Sequence, residues 1–182
     1  MLTQLLEDNA DIFATKLYQL GWSKLIQHEI HTGTELPIKQ RSYRTTIPDQ
    51  QFISEEIQRM LEANIIRPST SPWASPIFII SKKNRKKRFC VDYRKLNAIT
   101  QKDAYPLPRI DEIMDSLGNA HWFSSMDLTS GYWQIKMKEE DKPKTAFISR
   151  QGLFKFNVIP FGLCNTPATF QRTMDTVLGE YN

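Results

Sequence analysis

The sequence predicts an α+β fold, because strand-like and helix-like patterns follow one another without a regular β-α repeat. Two β-branched runs come first, followed by a helical stripe, a strand-like run, a second hairpin pattern and a last helix. The 182 residues are 40% hydrophobic and 24% charged, which is ordinary globular usage. The chain can therefore bury a core, in one domain or in one domain and part of another.

The first part of the chain is predicted to be a lead-in. Apolar residues between positions 2 and 13 predict a short helix, and residues 21–46 are predicted to be an extended connector. Turns are expected at Gly33 and Pro37.

The segment after Pro48 predicts an amphipathic helix. Asn64 is a candidate C-terminal cap, since asparagine tolerates the left-handed conformation, and Pro68 follows it. We expect one face of the helix to pack on a sheet. Its apolar residues recur at steps of three and four: Phe52, Ile53, Ile57, Met60, Leu61 and Ile65.

Residues 76–81 and 88–93 are β-branched and aromatic runs that are predicted to pair as a hairpin. Its tip concentrates charge, because six of the seven residues from Lys82 to Arg88 are cationic and only Asn84 interrupts them. Many charge runs are only solvated loops, and that alternative stays open. A hairpin would hold these like charges close together, which favours an anionic partner such as phosphate.

A proline-containing connector precedes a predicted helix between Ile110 and Leu117, which Gly118 ends. Residues 121–128 (HWFSSMDL) then predict a strand with Asp127 at its end. A carboxylate beside a turn can hold a metal ion. From the residues alone, however, such an aspartate is more often a turn former or a helix cap.

Two patterns complete the chain. Residues 144–149 and 153–158 predict a hairpin around a Gly-containing three-residue loop. Thr166, as an N-cap, and Pro167, at the first helical position, predict a helix over residues 168–178.

Charge and cysteine content limit the setting. Lys and Arg total 24 against 20 Asp and Glu, and the net charge of +4 permits a polyanionic partner without requiring one. Cys90 and Cys164 are too few for a disulfide framework and lack metal-ligand spacing, which favours an intracellular compartment. No signal-peptide pattern and no run of 18 uncharged apolar residues occurs, so we expect the protein to be neither secreted nor bound within a membrane.

Three segments carry a family resemblance: residues 88–97 (RFCVDYRKLN), 121–135 (HWFSSMDLTSGYWQI) and 157–171 (NVIPFGLCNTPATFQ). In this order and spacing they resemble the reverse transcriptases of gypsy-type LTR retrotransposons and, more distantly, of retroviruses. Phe161 supports the gypsy type, since the retroviral enzymes carry glutamine there. The lead-in is similar to the segment that joins protease to polymerase in gypsy-type polyproteins.

The resemblance implies the fingers and an incomplete palm of a right-hand polymerase. Residues 1–46 would form the connector, residues 47–120 the fingers with the start of the palm, and residues 121–182 a partial palm with a fingers hairpin and a nucleotide-pocket helix. The family places an aromatic-x-Asp-Asp motif shortly after the last matching segment. The sequence ends at Asn182, before such a motif.

The implied reaction adds deoxynucleotides to a primer on an RNA or DNA template, with two Mg²⁺ ions as cofactors. The implied partners are the primer-template and dNTPs, with protease, RNase H and integrase segments in the parent Pol polyprotein. Its setting would be the cytoplasm, in a virus-like particle, or the nucleus. The alternative is an inactive, degenerate remnant that at most binds nucleic acid nonspecifically.

The resemblance also assigns the site residues. Tyr132 would exclude a ribose 2′-hydroxyl, although a core tyrosine beside Trp133 is the alternative. Asp92 and Arg94 are expected to be a structural polar pair. The assigned residues are Asp127 as the catalytic metal ligand, Lys82 and Arg88 as phosphate contacts, Tyr132 as the sugar gate, and Phe161 with Gly162 as the floor of the nucleotide pocket.

Overall fold

The computed structural model describes residues 2–13, 21–81, 87–118 and 121–179. The helices are α1 (Leu2–Asp8), α2 (Ile47–Glu62), α3 (Arg94–Ile99), α4 (Ile110–Leu117) and α5 (Thr166–Leu178). The strands are β1 (Ser23–His28), β2 (Ile66–Pro68), β3 (Ser75–Ser81), β4 (Lys87–Val91), β5 (Ile135–Met137), β6 (Phe147–Ser149) and β7 (Gly152–Phe156).

The strands form two sheets, which confirms the predicted α+β class. Five strands lie in the order β2-β7-β6-β3-β4, and within this sheet only β3 and β6 run parallel. The second sheet pairs β1 with β5 in parallel. The larger sheet takes strands from both sides of residue 120, and the division of the chain at residues 46 and 120 stays a prediction.

Helix α2 forms as its pattern predicts. The Thr46 hydroxyl accepts a hydrogen bond from the Asp49 amide at 3.3 Å, which satisfies a donor at the start of the helix. Ile57 and Met60 are each only 1% exposed, so the apolar stripe is buried. Asn64 follows the last turn with a φ of 55°, the left-handed conformation expected of a residue that ends a helix.

The core is centred on Phe147, whose side chain is fully buried. Its ring lies 5.6 Å from that of Phe89, 5.9 Å from that of Phe154 and 5.3 Å from that of Phe156, measured between centroids. These residues belong to β4, β6 and β7, so one aromatic cluster joins the two hairpins of the larger sheet.

The first predicted hairpin is confirmed, since β3 and β4 pair antiparallel from Ile77 opposite Val91 to Ser81 opposite Lys87. The predicted charged tip at residues 82–86 lies outside the described residues.

The second predicted hairpin is confirmed as well, but it differs at its start and in its loop. Residues Lys142–Thr145 form a 3₁₀ turn, because Pro143 lacks an amide donor and opens a helical turn there. Ser149 pairs with Gly152, so the loop has two residues rather than three. Gly152 begins β7 with a φ of 133°, a conformation that glycine adopts without strain.

Other expectations need correction. The connector at residues 21–46 contains β1, and a turn occurs at Gly33 but not at Pro37. Helix α5 begins at Thr166, with Asn165 rather than Thr166 in the capping position.

The predicted strand at residues 121–128 is wrong. These residues form neither helix nor strand, and none of the strands in the described part of the chain pairs with them. A strand needs a hydrogen-bonding neighbour to satisfy its backbone groups, and alternation of side chains does not supply one. Trp122 is 94% exposed and Met126 is 88% exposed.

Helix α4 is present as predicted, but its apolar face has no cover in the described structure: Ile110 is 78% exposed and Met114 is 64% exposed. None of the helices that the structure describes is both long and apolar enough to cross a membrane.

Candidate nucleotide-binding site

Strand β4 presents two cations of the charged run on the larger sheet. The Lys87 ammonium lies 2.7 Å from the Asp49 carboxylate of α2, so this charge is already paired. The exposed Arg88 guanidinium lies 5.2 Å from the centre of the Phe161 ring. A guanidinium over a ring face keeps its N–H groups at the edge of the plane, free to donate to an anion.

Phe161 and Gly162 occupy the loop between β7 and α5. Gly162 has a φ of 101°, which explains the glycine, because a side chain would strain that conformation. The Asn97 amide holds the loop from α3: its Nδ2 donates to the Gly162 carbonyl at 2.7 Å, and its Oδ1 accepts from the Cys164 amide at 3.0 Å. The ring of Phe161 is left 40% exposed.

Asn97 is a supporting residue that the sequence reasoning did not single out. It closes the motif at residues 88–97, and its position at the end of that match was the available signal.

Tyr132 lies in a 3₁₀ turn beside the same loop. Its ring centre is 5.3 Å from that of Phe161 and 5.3 Å from that of Phe170 in α5. Gly131 lets the turn approach α5, because a Cβ at this position would lie 2.9 Å from the Phe170 ring. Tyr132 is half-buried, so its ring is held by packing while part of its surface remains accessible.

A cavity of about 680 Å³ connects these groups. Its wall includes Arg88, Phe161, Gly162 and Trp133, together with residues of α2 and β4. The volume falls in the range typical of small-molecule sites, roughly 300–1,000 Å³. The structure thus brings Arg88, Phe161 and Gly162 to one cavity, with Tyr132 packed against Phe161 at its side.

A polar network lies at the end of β4, around Asp92. The Arg94 guanidinium donates to the two carboxylate oxygens of Asp92 at 2.9 and 2.8 Å, and the Tyr43 hydroxyl donates to Asp92 at 2.7 Å. These bonds, led by that of Arg94, hold the pKa of the buried Asp92 well below its usual range. The expectation that Asp92 and Arg94 form a structural pair is confirmed.

His28 is a further buried polar residue, with its Nδ1 2.7 Å from the Thr169 hydroxyl of α5. Burial lowers its pKa to about 4, although the nearby Asp141, Asp103 and Glu29 carboxylates act in the opposite direction. The neutral imidazole therefore joins β1 to α5.

The family model for reverse transcriptase (RNA-dependent DNA polymerase) matches residues 80–182, more than half of the chain. The chain belongs to the reverse transcriptase family. The resemblance that rests on residues 88–97, 121–135 and 157–171 is therefore confirmed.

Curated relatives of this reverse transcriptase segment are Pol polyproteins of transposons. The chain is 41% identical over 186 residues to the retrovirus-related Pol polyprotein from transposon opus of Drosophila melanogaster, a match that covers 100% of the chain and 18% of the polyprotein. It is 39% identical over 174 residues to that from transposon gypsy of the same organism, covering 92% and 17%. The gypsy-type prediction is confirmed, and the chain spans less than a fifth of these relatives.

The reverse transcriptase fold is also found among solved structures. The foamy viral protease-reverse transcriptase dRH in complex with ds DNA superposes with a TM-score of 0.81 at 26% identity, over 98% of this chain and 31% of that chain. The predicted polymerase fold is confirmed.

Asp127, the expected metal ligand of this reverse transcriptase segment, lies in the exposed run at residues 121–128. No group of three or more His, Cys, Asp or Glu side chains that could hold a metal occurs in the described part of the chain. Two Mg²⁺ ions bring four positive charges, and each needs one or two carboxylates besides substrate phosphates. The described residues do not fit a two-ion site, and we assign no chemical step to them through a metal.

Proposed function

We propose that this chain supplies the nucleotide-binding part of an RNA-directed DNA polymerase, which extends a primer with dNTPs on an RNA or DNA template. The observation that carries the proposal is the placement of Arg88 over Phe161, beside Gly162, on the wall of the 680 Å³ cavity. A dNTP needs a cationic contact for its phosphates and an apolar surface for its base and sugar, and this wall offers both.

Arg88 is proposed to contact the triphosphate. Its guanidinium is always charged and can donate two parallel hydrogen bonds to a phosphate. Within the ranges that the structure describes, no carboxylate pairs with Arg88, so its charge is available to a ligand. Lys82 is proposed as a second phosphate contact. This proposal rests on the family resemblance alone, because Lys82 lies outside the described residues.

Tyr132 is proposed as the sugar gate. Contacts with Phe161 and Phe170 fix its ring, and a fixed ring can exclude a 2′-hydroxyl by steric clash. Gly162 is proposed to let the backbone approach the nucleotide, with Phe161 as the floor of the pocket.

Asp127 is proposed as one metal ligand of a longer polymerase that contains this segment. In such a protein, Asp127→Asn keeps the shape of the side chain and removes its charge. We expect primer extension to be abolished, as measured with Mg²⁺, dNTPs and an annealed primer-template. Robust extension by this variant would remove Asp127 from the metal site.

Primer-template duplex is the proposed macromolecular partner. The net charge of +4 is compatible with a polyanion, and the foamy viral relative of the same fold was solved with ds DNA. If the longer protein binds duplex but does not extend a primer, the chain belongs to an inactive retroelement remnant that only binds nucleic acid.

The nucleotide site is tested by equilibrium titration of the chain with dTTP, followed by tryptophan fluorescence. Loss of a hydrogen bond to a charged group costs about 1.5–3 kcal/mol, so we expect Arg88→Gln to weaken dTTP binding by about tenfold or more. Arg41→Gln is the matched control, since Arg41 is exposed and lies outside the cavity wall. Equal affinity of Arg88→Gln and the unchanged chain would overturn the assignment.

A further inference from the structure

The 680 Å³ cavity of the candidate nucleotide-binding site is called the nucleotide cavity. A separate cavity of about 220 Å³ shares no lining residue with it. Residues from six places in the fold form its wall: the residue before β1, the turn after α2, β2, β5, the 3₁₀ turn that begins at Lys142 and the chain around Asn157. The wall includes Trp22, Arg67, Lys136 and Lys142.

Three cations line this small cavity, and one carboxylate offsets them. The Glu139 carboxylate lies 2.6 Å from the Lys142 ammonium and also contacts the Arg67 guanidinium. These two partners, Lys142 first, lower the pKa of Glu139 to about 2, so Glu139 stays ionised at neutral pH. Lys136 pairs with no carboxylate among the residues described, which leaves the wall with an excess of positive charge.

Two of these cations are partly shielded from bulk water. The Lys136 ammonium lies 4.7 Å from the centre of the Trp22 ring, and this lysine is only half-exposed. The Nε of Arg67 is buried and has no hydrogen-bond acceptor in the described structure. A buried donor without an acceptor destabilises a fold unless a ligand or water accepts its hydrogen bond.

The size of the cavity limits what can bind. It falls below the roughly 300–1,000 Å³ of sites for drug-sized molecules, so a whole nucleotide does not fit. Its volume is large enough for several waters, each of which takes about 30 Å³ in the liquid. A compact oxyanion with several acceptor oxygens matches both this size and the excess of cationic donors.

We propose that this cavity binds a phosphate group through Lys136, Arg67 and Lys142. The phosphate is either free inorganic phosphate or one phosphodiester of a nucleic-acid strand that runs outside the nucleotide cavity. This site is independent of the proposed nucleotide site, since it uses none of that site's residues.

Titration with inorganic phosphate, followed by isothermal calorimetry, tests the site. We expect Lys136→Gln to weaken binding by about tenfold or more, and Lys136→Arg to retain most of it. Lys24→Gln is the matched control, because Lys24 lies exposed on β1, two residues from Trp22, and does not line the cavity. Unchanged binding by Lys136→Gln, or an equal loss in Lys24→Gln, overturns the proposal.

A thermal melt guards against misfolded variants. Phosphate should raise the melting temperature of the unchanged chain and of Arg88→Gln, and should raise that of a folded Lys136→Gln by clearly less. An effect that Arg88→Gln abolishes would place the phosphate in the nucleotide cavity instead and contradict the proposal. Competition by a ten-nucleotide oligothymidylate then identifies the source of the phosphate. If the oligonucleotide displaces phosphate and Lys136→Gln removes this displacement, the site binds a nucleic-acid strand. If the oligonucleotide displaces no phosphate, the site binds free phosphate.

Discussion

Two regions of the molecule differ in how deeply their apolar side chains are buried. Around β4, β6 and β7, Phe147 is fully buried within an aromatic cluster. In α4 and the run at residues 121–128, Trp122 is 94% exposed and Ile110 is 78% exposed. Both regions have sequence patterns suited to packing, but only the first buries its apolar side chains in the described structure.

The comparison shows what a local pattern can and cannot determine. Alternation or helical periodicity specifies which face of an element is apolar, whereas burial depends on a second element to cover that face. The cavity proposed to bind nucleotide lies in the region where both requirements are met, while Asp127 lies in the region where the second is not.

The largest effect is expected from paired truncations in the two regions. Phe147→Ala should lower the free energy of unfolding by about 3–5 kcal/mol, because it leaves a cavity in the core. Trp122→Ala should change it by no more than about 0.5 kcal/mol, since that ring is exposed. Urea unfolding of both variants measures the contrast. A cost above about 1.5 kcal/mol for Trp122→Ala would show that the run is covered.

The second effect is a loss of stability in mild acid that depends on His28. Its folded pKa of about 4 lies below the ordinary 6.5, so between these values the unfolded chain binds a proton that the folded chain does not. Stability should therefore fall as the pH is lowered from about 6.5 towards 4, by about 3 kcal/mol at most.

Unfolding of His28→Gln between pH 7 and pH 4.5 isolates this effect. The variant should be less stable at pH 7 but should show a flatter dependence on pH in this window. His31→Gln, which replaces a largely exposed histidine, should keep the slope of the unchanged chain. Equal slopes for His28→Gln and the unchanged chain would exclude the buried imidazole as the cause.

A smaller effect is expected at Gly131, which lies where the exposed run meets the packed region. A methyl group there would lie 2.9 Å from the Phe170 ring, so Gly131→Ala should cost about 1–3 kcal/mol. Gly21→Ala is the matched control, since no atom lies within 4 Å of a Cβ at that position. Thermal unfolding compares them, and equal stability of the two variants would show that Phe170 moves aside without cost.

The smallest effect concerns the charged hairpin. Each phosphate that this hairpin neutralises should steepen the slope of the log association constant against log salt concentration by about 0.9. Joint replacement of Lys82, Lys83 and Lys86 by alanine should flatten the slope for primer-template duplex. Lys87→Ala should flatten it less, because Lys87 is paired with Asp49. An unchanged slope in the joint variant would exclude the hairpin from the binding surface.

Much of the fold follows from local signals in the sequence. The apolar stripe before Asn64 predicted α2, and the paired β-branched runs predicted β3 and β4. Strand β1 was missed because its partner β5 is more than a hundred residues away, and a short parallel pair leaves little local pattern. The run at residues 121–128 was assigned to a strand for the converse reason, since its pattern is present but none of the described strands pairs with it.

The candidate site, like the fold, was predicted only in part from the sequence. The resemblance at residues 157–171 identified Phe161 and Gly162, and the structure adds the neighbours that give them a geometry. The support from Asn97 and the stacking of Arg88 on Phe161 both join residues more than sixty positions apart, and the phosphate cavity joins Trp22 to Lys136. Such contacts depend on tertiary packing, which no single sequence window contains.

The central claim is that the nucleotide cavity is already formed in this chain, apart from the run that carries Asp127. Amide chemical shifts recorded by NMR during a titration with dTTP test it most directly. We expect shifts concentrated at Arg88, Phe161 and Gly162, and none at residues 121–128. Shifts confined to residues 121–128, or no shifts at the cavity wall at saturating dTTP, would contradict the claim.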